Sequence, residues 1–201
     1  MNDSAPSTED LDRADMEALR GGDDLGLNAL MDRHGEPLFH YLIRLLQDES
    51  DAADLAQETF VRVYQNRHRF DAQKKFTTWL YSIATNLARN RWRYRARHPA
   101  VSLDAQHLES EQSLAATLSS DQALPSEEIE RAEKAKMVRE AIAALPEELR
   151  TPLVLAEYEE MAQAEIARVL GCSVKAVENR VYRARQRLCS ALTGLFSVPV
   201  I

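Results

Sequence analysis

Arg89–Arg97, RNRWRYRAR, sets five arginines and two aromatic rings in nine residues with no acid among them. Guanidinium forks pair with phosphate oxygens, and flat rings stack on unpaired bases, so these residue types together suit a nucleic-acid strand. A second basic stretch, Lys175–Leu188, carries five basic residues and one acid, Glu178. A third candidate has the opposite sign. In DAADLAQETFVRVYQNRHRF, helical spacing puts Asp54, Gln57, Glu58, Val61 and Gln65 along one side, against Ala53, Ala56, Phe60, Val63 and Tyr64 on the other. An acidic stripe with one exposed valine is an ordinary solvated helix face or a dock for a basic, partly apolar helix.

The formal net charge of the 201-residue chain is −7, which hides this segregation. Residues 1–27 hold eight acids against two arginines, and residues 98–131 hold seven against one. Local basic patches, not the overall balance, are the footprint of nucleic-acid binding. No run approaches the ~18 apolar residues that cross a bilayer, and the N-terminus is too acidic for a targeting peptide. Cys172 and Cys189 form no CxxC pair, and the five histidines have no zinc-ligand spacing with them. The sequence offers no nucleophile–base set and no Gly-rich phosphate loop. The expectation is a cytoplasmic, non-catalytic protein with no membrane insertion, metal or cofactor.

The chain reads as all-α, since Gly is scarce, at six, and no segment alternates convincingly. Residues 1–24 read as an acidic tail running into a weak helix. Residues 25–97 form a first helical domain. Residues 98–127 combine six serines, two prolines and many acids without a sustained period, a linker composition. Residues 128–192 form a second helical domain, followed by an apolar tail, 193–201.

Within the second domain, 162–188 reads as two helices across a three-residue turn. Gly171 stops the first in the left-handed conformation, and Ser173 caps the second. Val174, Val177, Val181, Ala184 and Leu188 make the buried stripe, at spacings of 3, 4, 3 and 4. Opposite lie Lys175, Asn179, Tyr182, Arg183 and Gln186, flanked by Glu178, Arg180 and Arg187. This is a helix-turn-helix. Asn179 and Arg183 suit adenine and guanine edges, and the flanking arginines suit phosphates. A helix hairpin with a solvated basic face is the plain alternative. In the first domain, FDAQKKFTTWLYSIATNLARNRWRYRARHP has no turn residue before Pro99, so the arginine block continues a helix. Leu80, Ala84, Leu87, Arg91 and Tyr94 share one stripe, and Trp79, Asn86, Asn90, Arg93 and Arg97 share another.

These segments resemble, in order, the bacterial sigma factors of the extracytoplasmic-function (ECF) class. The D-x-x-Q-E-x-F pattern at Asp54, Gln57, Glu58 and Phe60 is similar to the family's core-polymerase-binding helix. KKFTTWLYSIATNLARNRWR is similar to the promoter-melting segment, and EIARVLGCSVKAVENRVYRARQRL to the promoter-reading helix-turn-helix. The resemblance implies that Asp54, Gln57, Glu58, Phe60 and Val61 meet the β′ clamp of core RNA polymerase, with the β subunit a further partner. It implies that the loop Asp71–Phe76, with Lys74, Lys75, Phe76 and Asn86, captures a base flipped from the −10 element, with Trp79 and Tyr81 packing nearby. Asn90, Arg93 and Arg97 would then hold the opening duplex. Ser173, Lys175, Glu178, Asn179, Arg180, Tyr182, Arg183 and Arg187 would contact the −35 element, and the linker would thread toward the RNA exit path.

Two features depart from the family pattern. Ala176 and Glu178 stand where a Thr and a basic residue are common, so the −35 sequence does not carry over. The segment ALTGLFSVPVI has no assigned role. An anti-sigma partner is expected, because two domains on a strap can be clamped by an inhibitor covering the polymerase-binding face. The acidic segment 1–24 is a candidate shield for the basic faces. A stand-alone helix-turn-helix regulator and an anti-sigma-binding decoy are the rival readings.

Overall fold

The computed structural model describes residues 6–98 and 125–193. The linker expectation for 99–124 and the apolar tail beyond Thr193 lie outside the described residues. The described residues form eight α-helices: α1 Thr8–Arg20, α2 Leu25–Leu46, α3 Glu49–Gln65, α4 Phe76–Arg97, α5 Pro125–Ala143, α6 Glu147–Glu157, α7 Gln163–Leu170 and α8 Val174–Leu192. A single 3-10 turn, Arg67–Arg69, follows α3, and no strand occurs among the described residues.

Residues 1–24, read as an acidic tail running into a weak helix, instead carry a capped helix packed into the core. Ser7 caps α1, its hydroxyl accepting from the Asp10 amide while the Asp10 carboxylate accepts from the Ser7 amide, a reciprocal capping box. Met16 and Leu19 are fully buried against α2. The two helices approach closely at Gly26, where a Cβ would stand 2.3 Å from the Asp15 carbonyl oxygen. Only glycine permits that approach. Asp12, almost fully buried, accepts from Arg33 Nη1 at 2.5 Å and from His34 Nε2 at 2.8 Å. The acidic composition that suggested a solvated tail therefore includes a buried carboxylate with two partners, which is how a charge tolerates burial.

α2 is the spine of the first domain. Leu30, His34, Leu38, Leu42 and Leu45 recur at spacings of three and four and are buried, with Tyr41 beside them, giving one largely apolar stripe along the 22-residue helix. α3 and α4 pack on it, closing around Phe60, Val63, Phe76, Leu80, Ala84 and Leu87. Leu→Ala at a fully buried position such as Leu42 costs about 2–5 kcal/mol in such cores. Tyr64 differs from expectation: it faces solvent, with Arg67 stacked 4.4 Å above its ring. The inward positions of α3 are Ala52, Leu55, Thr59, Phe60 and Val63, one step around the wheel.

In the second domain the turn is built as its residues dictate. Gly171 sits at φ 64°, ψ 40°, and the Cys172 amide returns to the Ala167 carbonyl at 3.0 Å. Ser173 accepts from the Ala176 amide at 3.2 Å and starts α8. Val177, Val181 and Ala184 are buried as expected, while Val174, in the first turn of α8, is largely exposed.

The two domains dock on each other, α4 against α7 and α2 against α5 and α6. Periodicity gives no sign of this, because polar groups make much of the contact. Tyr81 donates to Glu159, Arg44 stacks 4.1 Å over the Tyr158 ring, and Arg150 Nη1 donates to the Leu45 carbonyl at 2.6 Å. Lys75–Glu165 at 3.0 Å and Arg89–Glu147 at 3.4 Å flank the seam. Burial raises the Glu159 carboxyl above the ordinary carboxylate range, against the opposing pull of Tyr81, Arg44 and His40. The docked state thus holds the Glu159 proton more tightly than the undocked state. Docking is strengthened below the ordinary carboxylate pKa and weakens as pH rises through the raised value. Glu159→Gln is expected to remove that dependence, measured as interdomain energy transfer between dyes from pH 4 to 8. An unchanged pH profile in the variant would exclude Glu159 as its source.

Candidate nucleic-acid interface

Helix α4 sorts its five arginines by partner. Arg89 pairs with Glu147 of α6. Arg91 pairs with Asp51, and Arg95 with Asp48 at 2.7 Å and Asp51 at 2.5 Å, both acids in or next to the first turn of α3. Arg91 therefore does not snorkel; it ties α4 to α3. Arg93 and Arg97 are exposed and have no hydrogen-bond or ion-pair partner among the described residues. Two cations remain available to an external anion, and both lie on the stripe that begins with Trp79 and Asn86.

Along that stripe a cleft of about 280 Å³ opens between α3 and α4, lined by Arg62, Asn66, Arg69, Trp79, Ile83 and Asn86. Asn86 is exposed, with its amide free to pair with a base edge. Trp79 is half-buried and its ring leans on Phe70 at 5.3 Å. Phe70 in turn meets Phe76 at 6.1 Å. The wall of the cleft is thus an aromatic stack anchored in the core. Phe76 is 2% exposed and holds Trp79 from behind instead of lining the cleft. Nothing in the sequence singles out Arg62, in the last turn of α3, or Asn66 and Arg69 just beyond it, since they carry no pattern of their own. Tyr81 is turned away toward Glu159 and takes no part. Of the two lysines, Lys74 pairs with Asp71 at 3.3 Å, and Lys75 is drawn to Glu165 and Glu9. Asn90 lines a separate groove of about 500 Å³ with Asp54, Leu55, Glu58, Leu87 and Tyr94.

On α3, Asp54 and Gln57 are exposed, Val61 is 47% exposed, and Glu58 accepts from Arg62 Nε at 2.8 Å. Phe60 is 5% exposed and supports this face from inside the core. On α8, Asn179, Tyr182, Arg183 and Arg187 point outward. Lys175 donates to Glu178, the acid that departs from the family pattern, at 2.9 Å in an exposed pair. Arg180 leans back to the Cys172 sulfur at 3.6 Å and is half-buried, leaving the exposed face to Asn179, Tyr182, Arg183 and Arg187.

The Sigma-70 region 2 family matches residues 30–98, and Sigma-70 region 4 matches residues 135–188. The RNA polymerase sigma-H factor of Pseudomonas aeruginosa is 33% identical over 192 residues, covering 94% of this chain and 97% of that protein. The ECF RNA polymerase sigma factor SigW of Bacillus subtilis is 32% identical, covering 88% of this chain and 94% of its own length. The chain belongs to the ECF sigma factors. Such a sigma factor directs core RNA polymerase to promoters and begins their opening. Among solved structures, CnrH in complex with the cytosolic domain of CnrY superimposes with a TM-score of 0.67 at 30% identity. That match covers 94% of this chain and all of the other. The region 2 match begins at Leu30, so α1 of this sigma factor lies outside it. No helix among the described residues is long and apolar enough to cross a membrane.

Proposed function

We propose that this ECF sigma factor divides its work among three faces. The α3 face of Asp54, Gln57, Glu58 and Val61 docks on the β′ clamp of core polymerase. The cleft of Trp79, Asn86, Asn66 and Arg69 takes one unstacked base of the −10 element, and Arg93 and Arg97 hold the adjoining phosphates. The outward face of α8, led by Asn179 and Arg183, reads the −35 element. The observation that carries this reading is that the exposed Arg93 and Arg97, the core-anchored tryptophan and the exposed Asn86 share one stripe. Polymerase supplies the chemistry, the sigma factor itself is not an enzyme, and it works in the cytoplasm. An anti-sigma protein that covers the α3 face is its regulator; the cytosolic domain of CnrY bound to CnrH, a similar chain, supports this.

Promoter-specific transcription by core polymerase supplemented with the pure protein tests the reading. Failure to bind core would sink it, and tight sequence-specific duplex binding without polymerase would favour a stand-alone regulator. The exposed arginines give a further check. Replacing both Arg93 and Arg97 with Ala is expected to weaken all promoters alike and to reduce the salt slope of holoenzyme binding by about two. A changed promoter preference would contradict the phosphate role.

A further inference from the structure

We infer that helix α1 braces the base-capturing cleft, with Arg13 as a positioning residue for promoter opening. The inference rests on the cleft reading above and adds an element to it. The segment from Asn66 to Lys75, between α3 and α4, supplies Asn66 and Arg69 to the cleft and carries Phe70, on which Trp79 leans. Its own backbone hydrogen bonds are short turns: Arg69 to Asn66 at 2.8 Å, Phe70 to Arg67 at 3.3 Å and Lys74 to Asp71 at 2.9 Å. Turns of this kind do not fix a loop against the helices around it.

α1 supplies that fixation from both sides. Arg13 Nε donates to the Ala72 carbonyl at 3.0 Å, a tie between positions 59 apart in sequence. Glu9 lies 3.9 Å from the Lys75 ammonium at the end of the same loop. Beneath it, Asp12 fixes His34, whose ring lies 5.3 Å from that of Phe76, and Phe76 contacts both Phe70 and Trp79. Adjacent residues of α1 thus hold the loop backbone and the aromatic stack under the cleft. The contacts of Arg13 with Glu9 and Asp10, both at 3.8 Å, are exposed pairs along its own helix and contribute little. Its aim at Ala72 is what couples α1 to the cleft. A recognition site loosened by an ångström loses much of its selectivity, so the tie acts on base choice rather than on polymerase binding.

The test uses holoenzyme reconstituted with the full chain and a promoter set carrying each of the four bases at every −10 position. Open complexes are scored by permanganate reactivity. Arg13→Ala is expected to lower discrimination at the captured position about five- to tenfold, with core affinity unchanged. Arg13→Gln places an amide nitrogen where Nε stands and is expected to restore most of it. A merely structural contact would shift thermal stability without altering the ratio between bases. Discrimination equal to wild type in Arg13→Ala overturns the inference, provided Asn86→Ala flattens it in the same assay. If Asn86→Ala also leaves it intact, the cleft itself is misassigned and the brace falls with it.

Discussion

Replacing Asn86 with Ala lowers promoter opening by the reconstituted holoenzyme between about ten- and a hundredfold, the range for losing a paired contact to one base edge. Core affinity is expected to stay within about twofold, because Asn86 is exposed on α4 and lines the cleft opposite Arg62 and Asn66, not the outward face of α3. The structure also separates Asn86 from Asn90, which the sequence placed on the same stripe. Asn90 lines the other groove, beside Asp54, Glu58 and Tyr94. Asn90→Ala therefore serves as the internal control, with a smaller effect on opening. Opening rates measured with a fluorescent base analogue decide the matter. Equal effects of the two substitutions would show that the cleft does not select a base.

Asp54→Arg is expected to reduce affinity for core polymerase about a hundredfold, since like charges brought together across an interface cost several kcal/mol. Asp54 is exposed and makes no ion pair among the described residues, so its reversal leaves the fold intact. Glu58 is a poorer probe, because its carboxylate already holds Arg62. Phe60 is poorer still. It is buried beside Leu55 and Val63, and Phe60→Ala would destabilise the domain by about 3–5 kcal/mol. Loss of polymerase binding in that variant would report unfolding. Fluorescence anisotropy of labelled sigma factor titrated with core gives the affinity, and circular dichroism verifies the fold. Unchanged binding by a folded Asp54→Arg protein would remove α3 from the interface.

The docked arrangement bears on both experiments. Tyr81, Glu159, Arg44 and Arg150 hold the domains together on a side of α4 away from Trp79 and Asn86. The cleft and the acidic face of α3 remain open while the domains are docked. An inhibitor that binds the α3 face therefore does not have to separate the domains first.

Local pattern was legible in the residues before any fold was known. Helical periodicity placed helices over α3, α4 and α8 and most of the buried stripes of α4 and α8, and Gly171 with Ser173 dictated the turn through backbone conformation and capping. Side-chain chemistry marked Asp54, Asn86, Arg93 and Arg183, and all four are exposed. Contacts between distant segments came only with the folded chain. It buried Met16, Leu19 and Asp12 of an acidic stretch that composition assigned to solvent. It withdrew Arg89, Arg91 and Arg95 from a uniform-looking basic block, because Glu147, Asp48 and Asp51 lie within reach only in the folded chain. It put Phe76 behind the cleft that it was expected to line, whereas Phe60 is in the core, where the helical wheel had it. An ion pair or a buried ring depends on which partner arrives in space, and helical spacing specifies only a face, not its neighbour.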